Sequence, residues 1–115
     1  MLNNLYHLHL YHLHLAQNLN TSPEILKLLT NSYGMNVRQA VAENPNTPSE
    51  SLEKLANDKN PNVRWCVAKN PNTSSKTLEK LANDEDSSVR YPVVEHPNLP
   101  EYLKFYFYFD SKFIT

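Results

Sequence analysis

The chain repeats itself with a period of 26 residues, and this period constrains its fold more than any other feature. Asn-Pro-Asn-Thr at 44–47 returns at 70–73, and Leu-Glu-Lys-Leu-Ala-Asn-Asp at 52–58 returns at 78–84. A unit of this length cannot bury its own apolar side chains, so neighbouring copies must stack on one another. The repeat therefore predicts a solenoid.

Each copy carries two apolar patterns with helical spacing. In the central copy, Leu52 and Leu55 are three residues apart, and Val63 and Val67 are four apart. Residues at these spacings share one side of a helix, which predicts two short helices per copy that pack together and against neighbouring copies. We place complete copies at 18–43, 44–69 and 70–95, a degenerate cap at 1–17, and a partial copy with an aromatic cap at 96–115, all in one domain of residues 1–115.

Turn-forming residues separate the predicted helices. The Thr-Pro-Ser-Glu stretch beginning at Thr47 has the form of a capping box, with Thr47 as the N-cap of the first helix. That helix is expected to end at Asn57, in the left-handed conformation that asparagine tolerates. Asn60 is expected to cap the second helix. Pro92, inside the second element of the third copy, favours a short or 3₁₀-like segment there.

The composition excludes several classes of function. One cysteine, Cys66, excludes an internal disulfide framework and a multi-cysteine metal site, and it favours a reducing, cytoplasmic setting. A net charge of −1 argues against a dedicated nucleic-acid binder. No apolar run approaches the roughly 18–20 residues that cross a membrane. Gly34, the one glycine, cannot form a glycine-rich phosphate loop, and no Cys–His spacing suggests a nucleophile, so we expect no enzyme.

The repeated pattern resembles a known family. Asn-Pro-Asn-Thr-Pro, two leucines three residues apart, an Asp/Asn-rich turn and Val-Arg-x-x-Val-Ala are similar to the leucine-rich repeat variant family over 18–95, and over 11–103 with the degenerate ends. The resemblance implies an all-α fold, a right-handed α-solenoid of short two-helix repeats that alternate α- and 3₁₀-helices. HEAT-like helical repeats are near neighbours. The iron–sulfur module of some members needs clustered cysteines, so we expect no cofactor.

A histidine cluster near the N-terminus is one candidate for chemistry. Its members lie in a duplicated Leu-Tyr-His-Leu-His segment and are His7, His9, His12 and His14. Imidazoles can bind zinc or nickel. A helix would divide these four between two faces, and no carboxylate or cysteine is near in sequence. We therefore favour an amphipathic end cap over a metal site.

An arginine recurs once per copy, as Arg38, Arg64 and Arg90. A regular basic row can follow a phosphate backbone, which makes a nucleic-acid-binding repeat protein the alternative function. We favour a structural role, in which the arginines pair with acidic residues of the preceding turn, such as Asp58 and Asp84, or cap carbonyls between copies.

When the copies are aligned, each repeat position forms a column of equivalent residues. The columns whose residue type varies between copies are the best candidates for binding a partner. Two such columns lie one helical turn apart on the second helices. The first contains Gln39, Trp65 and Tyr91, and the second contains Glu43, Lys69 and Glu95. Aromatic residues beside charges favour a strip that binds another protein, in a non-catalytic interaction or scaffold module. The alternative is that Trp65 and Tyr91 stack on the neighbouring copy.

The C-terminal region is unusually aromatic. Residues 96–103 resemble 70–78 with one residue deleted, and they are followed by Phe105, Tyr106, Phe107, Tyr108, Phe109 and Phe113. These rings either seal the last copy or form a surface for a partner, and we favour sealing. The uncovered ends of a solenoid also predict self-association through those ends as an alternative.

Overall fold

The computed structural model describes residues 2–109, and all eight helices in that range are α-helices. Their bounds are α1 (Leu2–Gln17), α2 (Pro23–Leu29), α3 (Met35–Glu43), α4 (Ser49–Leu55), α5 (Pro61–Lys69), α6 (Ser75–Leu81), α7 (Ser87–Glu95) and α8 (Glu101–Tyr108). The all-α prediction is confirmed. The expected 3₁₀ component is wrong for the described residues, because the short first helix of each copy is a seven-residue α-helix.

The molecule is elongated, with dimensions of 54 × 24 × 16 Å. Its helices occupy two kinds of position. The row helices α1, α3, α5 and α7 pack side by side in that order. The flanking helices α2, α4, α6 and α8 lie along this row, and α2, α4 and α6 each contact the row helix before and the row helix after. Each predicted copy therefore contains one flanking and one row helix, and α1 adds a row helix at the N-terminal end. The right-handed superhelix stays a prediction.

The predicted apolar columns form the core. The leucines of the flanking helices and the valines of the row helices are fully buried, and they are Leu26, Leu52, Leu78, Val37, Val41, Val63, Val67, Val89 and Val93. Complete burial of one such side chain contributes about 1.5–3 kcal/mol relative to leaving it exposed. Because every copy repeats these contacts, the stability of the fold is spread along the row.

The predicted capping box is wrong. Helix α4 begins one residue later than expected, and its N-cap position is held by Pro48 without a side-chain hydrogen bond. Thr47 is fully buried and donates its hydroxyl to the carbonyl of Val41 at 2.6 Å, near the C-terminal end of the preceding row helix. In the neighbouring copies, Ser22 and Ser74 are the N-caps, accepting from backbone amides three residues later.

The predicted left-handed helix end is also wrong. No residue of the described range has a positive φ angle. Helix α4 is followed by Ala56 in the right-handed region, and the amide of Asn57 donates to the carbonyl of Lys54 at 3.0 Å. The last turn of α4 therefore ends in a hydrogen bond between residues three apart, which satisfies a terminal carbonyl without a residue in the left-handed conformation.

The predicted cap of the second helix in the central copy, Asn60, is confirmed, and Asp86 caps α7 in the same way. Asn60 accepts from the amide of Asn62, and Asp86 accepts from the amide of Ser88. The hydrogen bonds from Ser88 lower the pKa of Asp86. Pro92 lies inside the α-helix α7, so the 3₁₀ expectation is wrong there. As the sixth residue of the helix, this proline removes a single backbone hydrogen bond, and the turns on either side remain.

The repeat register continues through the C-terminal copy without the predicted deletion. The Asn98 amide donates to the carbonyls of Pro71 and Thr73 at 2.8 and 3.0 Å, as Asn72 does with the corresponding carbonyls one copy earlier. Leu99 is buried at the position that Thr73 holds in the third copy. Helix α8 begins at Glu101, 26 residues after α6 begins at Ser75, so the expected deletion before Leu103 is wrong.

Candidate functional site

The strip of variable residues lies on the row helices and is accessible. Trp65 on α5 is 38% exposed and Tyr91 on α7 is 43% exposed. Glu43, Lys69 and Glu95, one helical turn further along their helices, are exposed as well. Packing between copies therefore leaves a large part of both aromatic rings accessible to solvent.

A shallow groove of about 330 Å³ forms where α5 meets α3. Its lining includes Trp65, Lys69 and Glu43, together with Cys66, Asn70 and Pro71. The Lys69 ammonium lies 4.3 Å from the centroid of the Trp65 ring, within the range of a cation–π contact. Residues predicted separately from two columns thus line one groove across two copies, where Trp65 is accompanied by a basic and an acidic side chain.

The other predicted strip residues are less closely associated with this groove. Gln39 donates to the Glu43 carboxylate at 3.3 Å and lines a second depression of about 290 Å³ between α1 and α3. Tyr91 and Glu95 lie one copy further along, on α7, outside the lining of the Trp65 groove. The structure divides the predicted strip into the groove lined by Trp65 and two adjoining parts.

Cys66 lies at the base of the Trp65 groove and is almost fully buried. Its sulfur is 3.5 Å from Oε1 of Glu43. Burial, with a smaller contribution from the charge and hydrogen bond of that carboxylate, raises the pKa of the thiol to about 12. Since the thiolate is the nucleophile, this thiol is not activated at neutral pH.

The arginines of the predicted ladder join consecutive copies. Arg38 Nε is 2.7 Å from Oδ2 of Asp58, and Arg64 Nε is 2.8 Å from Oδ2 of Asp84. Each aspartate belongs to the following copy, so the predicted pairing with the preceding turn was wrong in direction. The preceding turn supplies a carbonyl instead, since Arg64 Nη1 donates to Asp58 O at 2.7 Å.

These ion pairs leave little of the ladder free to contact a phosphate. The side chains of Arg38 and Arg64 are 15% and 11% exposed, and their aspartates are 7% and 8% exposed. The hydrogen bond to Asp84 raises the pKa of Arg64. Arg90 keeps the bond to the preceding turn, with Nη1 2.7 Å from Asp84 O, while its buried Nε has no partner among residues 2–109.

The asparagine columns do more than form turns. Asn44 and Asn70 each accept from the backbone amide two residues later, which forms the turn within their own copy. In addition, the Nδ2 group of Asn70 donates to the carbonyls of Ala42 and Asn44, at 2.8 and 3.0 Å, in the preceding copy. Sequence reasoning missed these bonds between copies. The recurrence of the asparagines was the available signal, but local turns already explained it.

The four histidines of the N-terminal cluster do not come together at one site. His7 and His14 are exposed, whereas His9 and His12 are partly buried. The ring of His9 packs against Gly34, so closely that a Cβ atom at that glycine would lie 2.5 Å from the ring carbon Cε1. Within residues 2–109, no three His, Cys, Asp or Glu side chains are grouped to hold a metal ion.

The C-terminal aromatic residues are mostly exposed, contrary to the expectation that they seal the last copy. Phe107 is buried against the core. The remaining rings of α8 and its C-cap are each more than 60% exposed, and they are Tyr102, Phe105, Tyr106, Tyr108 and Phe109. A helix can direct one side toward the core, and five rings on the other sides remain uncovered. Phe113 lies outside the described residues.

The fold defines the class of protein. Paired helices whose row members stack in chain order, with polar ladders between copies, are the construction of an α-helical repeat protein. No helix of the described residues is both long and apolar enough to span a bilayer.

The comparison with protein families identifies the type of repeat. Residues 36–60 match the family model described as leucine rich repeat variant, which confirms over this stretch the resemblance found in the sequence. The matched stretch covers most of α3, all of α4 and the N-cap of α5. No curated protein and no solved structure matched the chain.

Proposed function

We propose that the chain is a non-catalytic interaction module that binds another protein along its row helices. The Trp65 groove is the observation that supports this most directly. Tryptophan is the residue most enriched at the energetic centres of interfaces. Here it is partly exposed, near the middle of the row, at a groove whose neighbouring helices are held in place by buried packing and ion pairs.

The charges beside the groove favour a partner segment that carries both a cation and an anion. Glu43 and Lys69 lie on opposite helices of the groove and are both exposed. A partner chain can place its apolar side chain on the Trp65 face and pair its charged groups with these two residues. Such polar residues around an apolar centre are typical of protein interfaces.

The family and the chemistry support this function over the alternatives. Leucine-rich repeat variant units are non-catalytic helical repeat modules, commonly used for protein interaction. The free thiol Cys66 is consistent with a reducing, cytoplasmic compartment. The nucleic-acid alternative draws no support from the arginine ladder, because Arg38 and Arg64 are committed to buried ion pairs.

A photo-crosslinking amino acid placed at selected positions tests this proposal in cells of the native host. With the crosslinker at Lys69, beside the groove, we expect discrete adducts that mass spectrometry identifies as a protein. With the crosslinker at Lys76 on α6, whose side chain is 86% exposed, the same adducts should be absent. Equal adducts at both positions would show that the groove is not the binding surface.

Substitution of the aromatic anchor provides the second measurement. Trp65→Ala should abolish the Lys69 adducts and capture of the identified partner. Tyr33→Ala removes an aromatic ring that is fully exposed in the turn before α3, and it should leave capture unchanged. Circular dichroism must show that both variants are folded. Undiminished capture by Trp65→Ala would contradict the proposed role of the groove.

A further inference from the structure

Each junction between copies is held by the same pattern of side-chain donors and backbone acceptors. At the first junction, Asn44 Nδ2 donates to the carbonyls of Ala16 and Asn18 at 2.9 and 3.0 Å. Two residues later, Asn46 Nδ2 donates to two further carbonyls of the preceding turn. The later copy therefore supplies the donors, and the earlier copy supplies the acceptors.

The next junctions repeat this arrangement with the same polarity. Asn70 and Asn72 donate to the preceding copy at the second junction. At the third junction, Nε2 of His96 lies 2.7 Å from the carbonyl of Asn70, and Asn98 donates as the other asparagines do. The pattern thus has a direction along the solenoid.

The N-terminal end presents the donor half of this pattern without acceptors. Asn18 and Asn20 hold the positions that Asn44 and Asn46 hold one copy later, and the turn is already formed, with the Asn20 amide 2.8 Å from Asn18 Oδ1. Both asparagines are exposed. Among residues 2–109, no carbonyl accepts a hydrogen bond from either side-chain amide.

The C-terminal end presents the acceptor half without donors. By the spacing of the three junctions, the next acceptors are the carbonyls of Val94, His96, Pro97 and Leu99. The carbonyl of His96 already accepts from the Leu99 amide at 3.1 Å, as Asn44 accepts from Thr47 at the corresponding turn. No asparagine side chain within the described part of the chain donates to these four groups.

The helices at the two ends are also complementary, because one end begins with a row helix and the other finishes with a flanking helix. Helix α1 is a row helix with no flanking helix before it in residues 2–109, and α8 is a flanking helix with no row helix after it in that range. Tyr11 on α1 is 60% exposed, although it occupies the position of Val37, which is fully buried. Val94 on α7 is partly buried at the position where Ala68 is fully buried. Within residues 2–109, each end therefore lacks the kind of helix that the other end carries.

We propose that the chain binds a second copy of itself head to tail. Helix α1 of one copy packs against α7 of the other, as α3 packs against α1 within the chain. Asn18 of the first copy donates to the carbonyls of Val94 and His96 of the second, and Asn20 donates to the carbonyls of Pro97 and Leu99. The contact is heterologous, so the same surfaces can add further copies and continue the solenoid.

Sedimentation velocity over a range of protein concentrations tests this contact. The wild type should sediment faster as its concentration rises, without a plateau at a dimer. Asn18→Asp/Asn20→Asp keeps the turn acceptors but replaces both donors with carboxylates that face carbonyls, so the dissociation constant should rise at least about tenfold, or ~1.4 kcal/mol. The matched control is Asn36→Asp/Asn62→Asp, which makes the same change in charge at exposed positions on α3 and α5 and should associate like the wild type.

A mixing experiment tests the polarity of the contact. Val94→Lys blocks the acceptor end and leaves the donor end intact. At a protein concentration at which this variant and Asn18→Asp/Asn20→Asp each sediment alone as monomers, an equimolar mixture should form a one-to-one dimer and nothing larger. Circular dichroism verifies that both variants are folded. A wild type that stays monomeric, a donor-end variant that still associates, or a mixture that stays monomeric would each overturn the proposal. The second result would assign association to another surface, such as the aromatic rings of α8.

Discussion

The substitution Asn70→Asp is expected to destabilise the solenoid strongly, although it exchanges one atom. Asn70 is 3% exposed. Its Nδ2 group donates to the carbonyls of Ala42 and Asn44, and its Oδ1 atom accepts from the amide of Asn72 at 2.8 Å. Aspartate retains the acceptor, so the turn can form. It loses both donors and directs an anionic oxygen at two carbonyls.

The magnitude follows from these three contacts. Two lost hydrogen bonds cost about 1 kcal/mol each. The buried carbonyls are then left facing a carboxylate in a site that is almost fully buried, which adds about 1 kcal/mol or more. We therefore expect the free energy of unfolding to fall by about 3 kcal/mol. For a domain whose total stability is about 5–15 kcal/mol, this is a large fraction.

Asn18→Asp is the matched control, because it makes the same chemical change at the same repeat position. Asn18 is exposed, and its side-chain amide has no acceptor among the described residues, so its loss should cost less than about 0.5 kcal/mol. Urea denaturation followed by circular dichroism measures both variants, in dilute protein so that self-association does not contribute. A loss below about 1 kcal/mol for Asn70→Asp, or equal losses for the two variants, would refute this account of the junction.

Two further predictions concern the ion pairs and the thiol. Asp84→Asn should lower the free energy of unfolding by about 2 kcal/mol, because it leaves the guanidinium of Arg64 mostly buried without its anion. Glu53→Gln, which removes an exposed ion pair with a nitrogen–oxygen distance of 3.9 Å, should change the free energy of unfolding by less than about 0.5 kcal/mol. Similar losses in urea titrations of the two variants would contradict this prediction. Cys66 should react with iodoacetamide at pH 8 at least about a hundredfold more slowly in the folded protein than in urea, because a pKa of about 12 leaves little thiolate. Mass spectrometry measures both rates. Comparable rates would show that the thiol of the folded protein is accessible and ionised.

Much of the candidate site was predicted from sequence, because its residues occupy a repeating position on a predicted helix. Trp65 and Lys69 are four residues apart on one helix, and their proximity follows from that spacing. The contribution of Glu43 to the same groove depends on how closely α3 approaches α5. No local pattern specifies that distance.

The caps show where sequence reasoning reached its limit. Thr47 has the right residue type and spacing for an N-cap, yet its hydroxyl donates to the carbonyl of Val41. Both uses satisfy a terminal backbone group, and the choice depends on the angle at which two helices meet. The exposure of Phe105 and its neighbours is a similar case, since aromatic residues next to a solenoid end are compatible with a seal or with a surface.

The sequence by itself determined the two-helix copy, its core columns and the stacking of copies, because an apolar stripe on a short helix has to be covered by a neighbour. The tertiary structure decided which copy each polar side chain contacts. Arg64 reaches forward to Asp84, and Asn70 reaches back to Ala42. The physical reason is that a side chain with several donors can satisfy them on either side. The orientation of adjacent copies selects the partner, and it thereby gives the solenoid one donor end and one acceptor end.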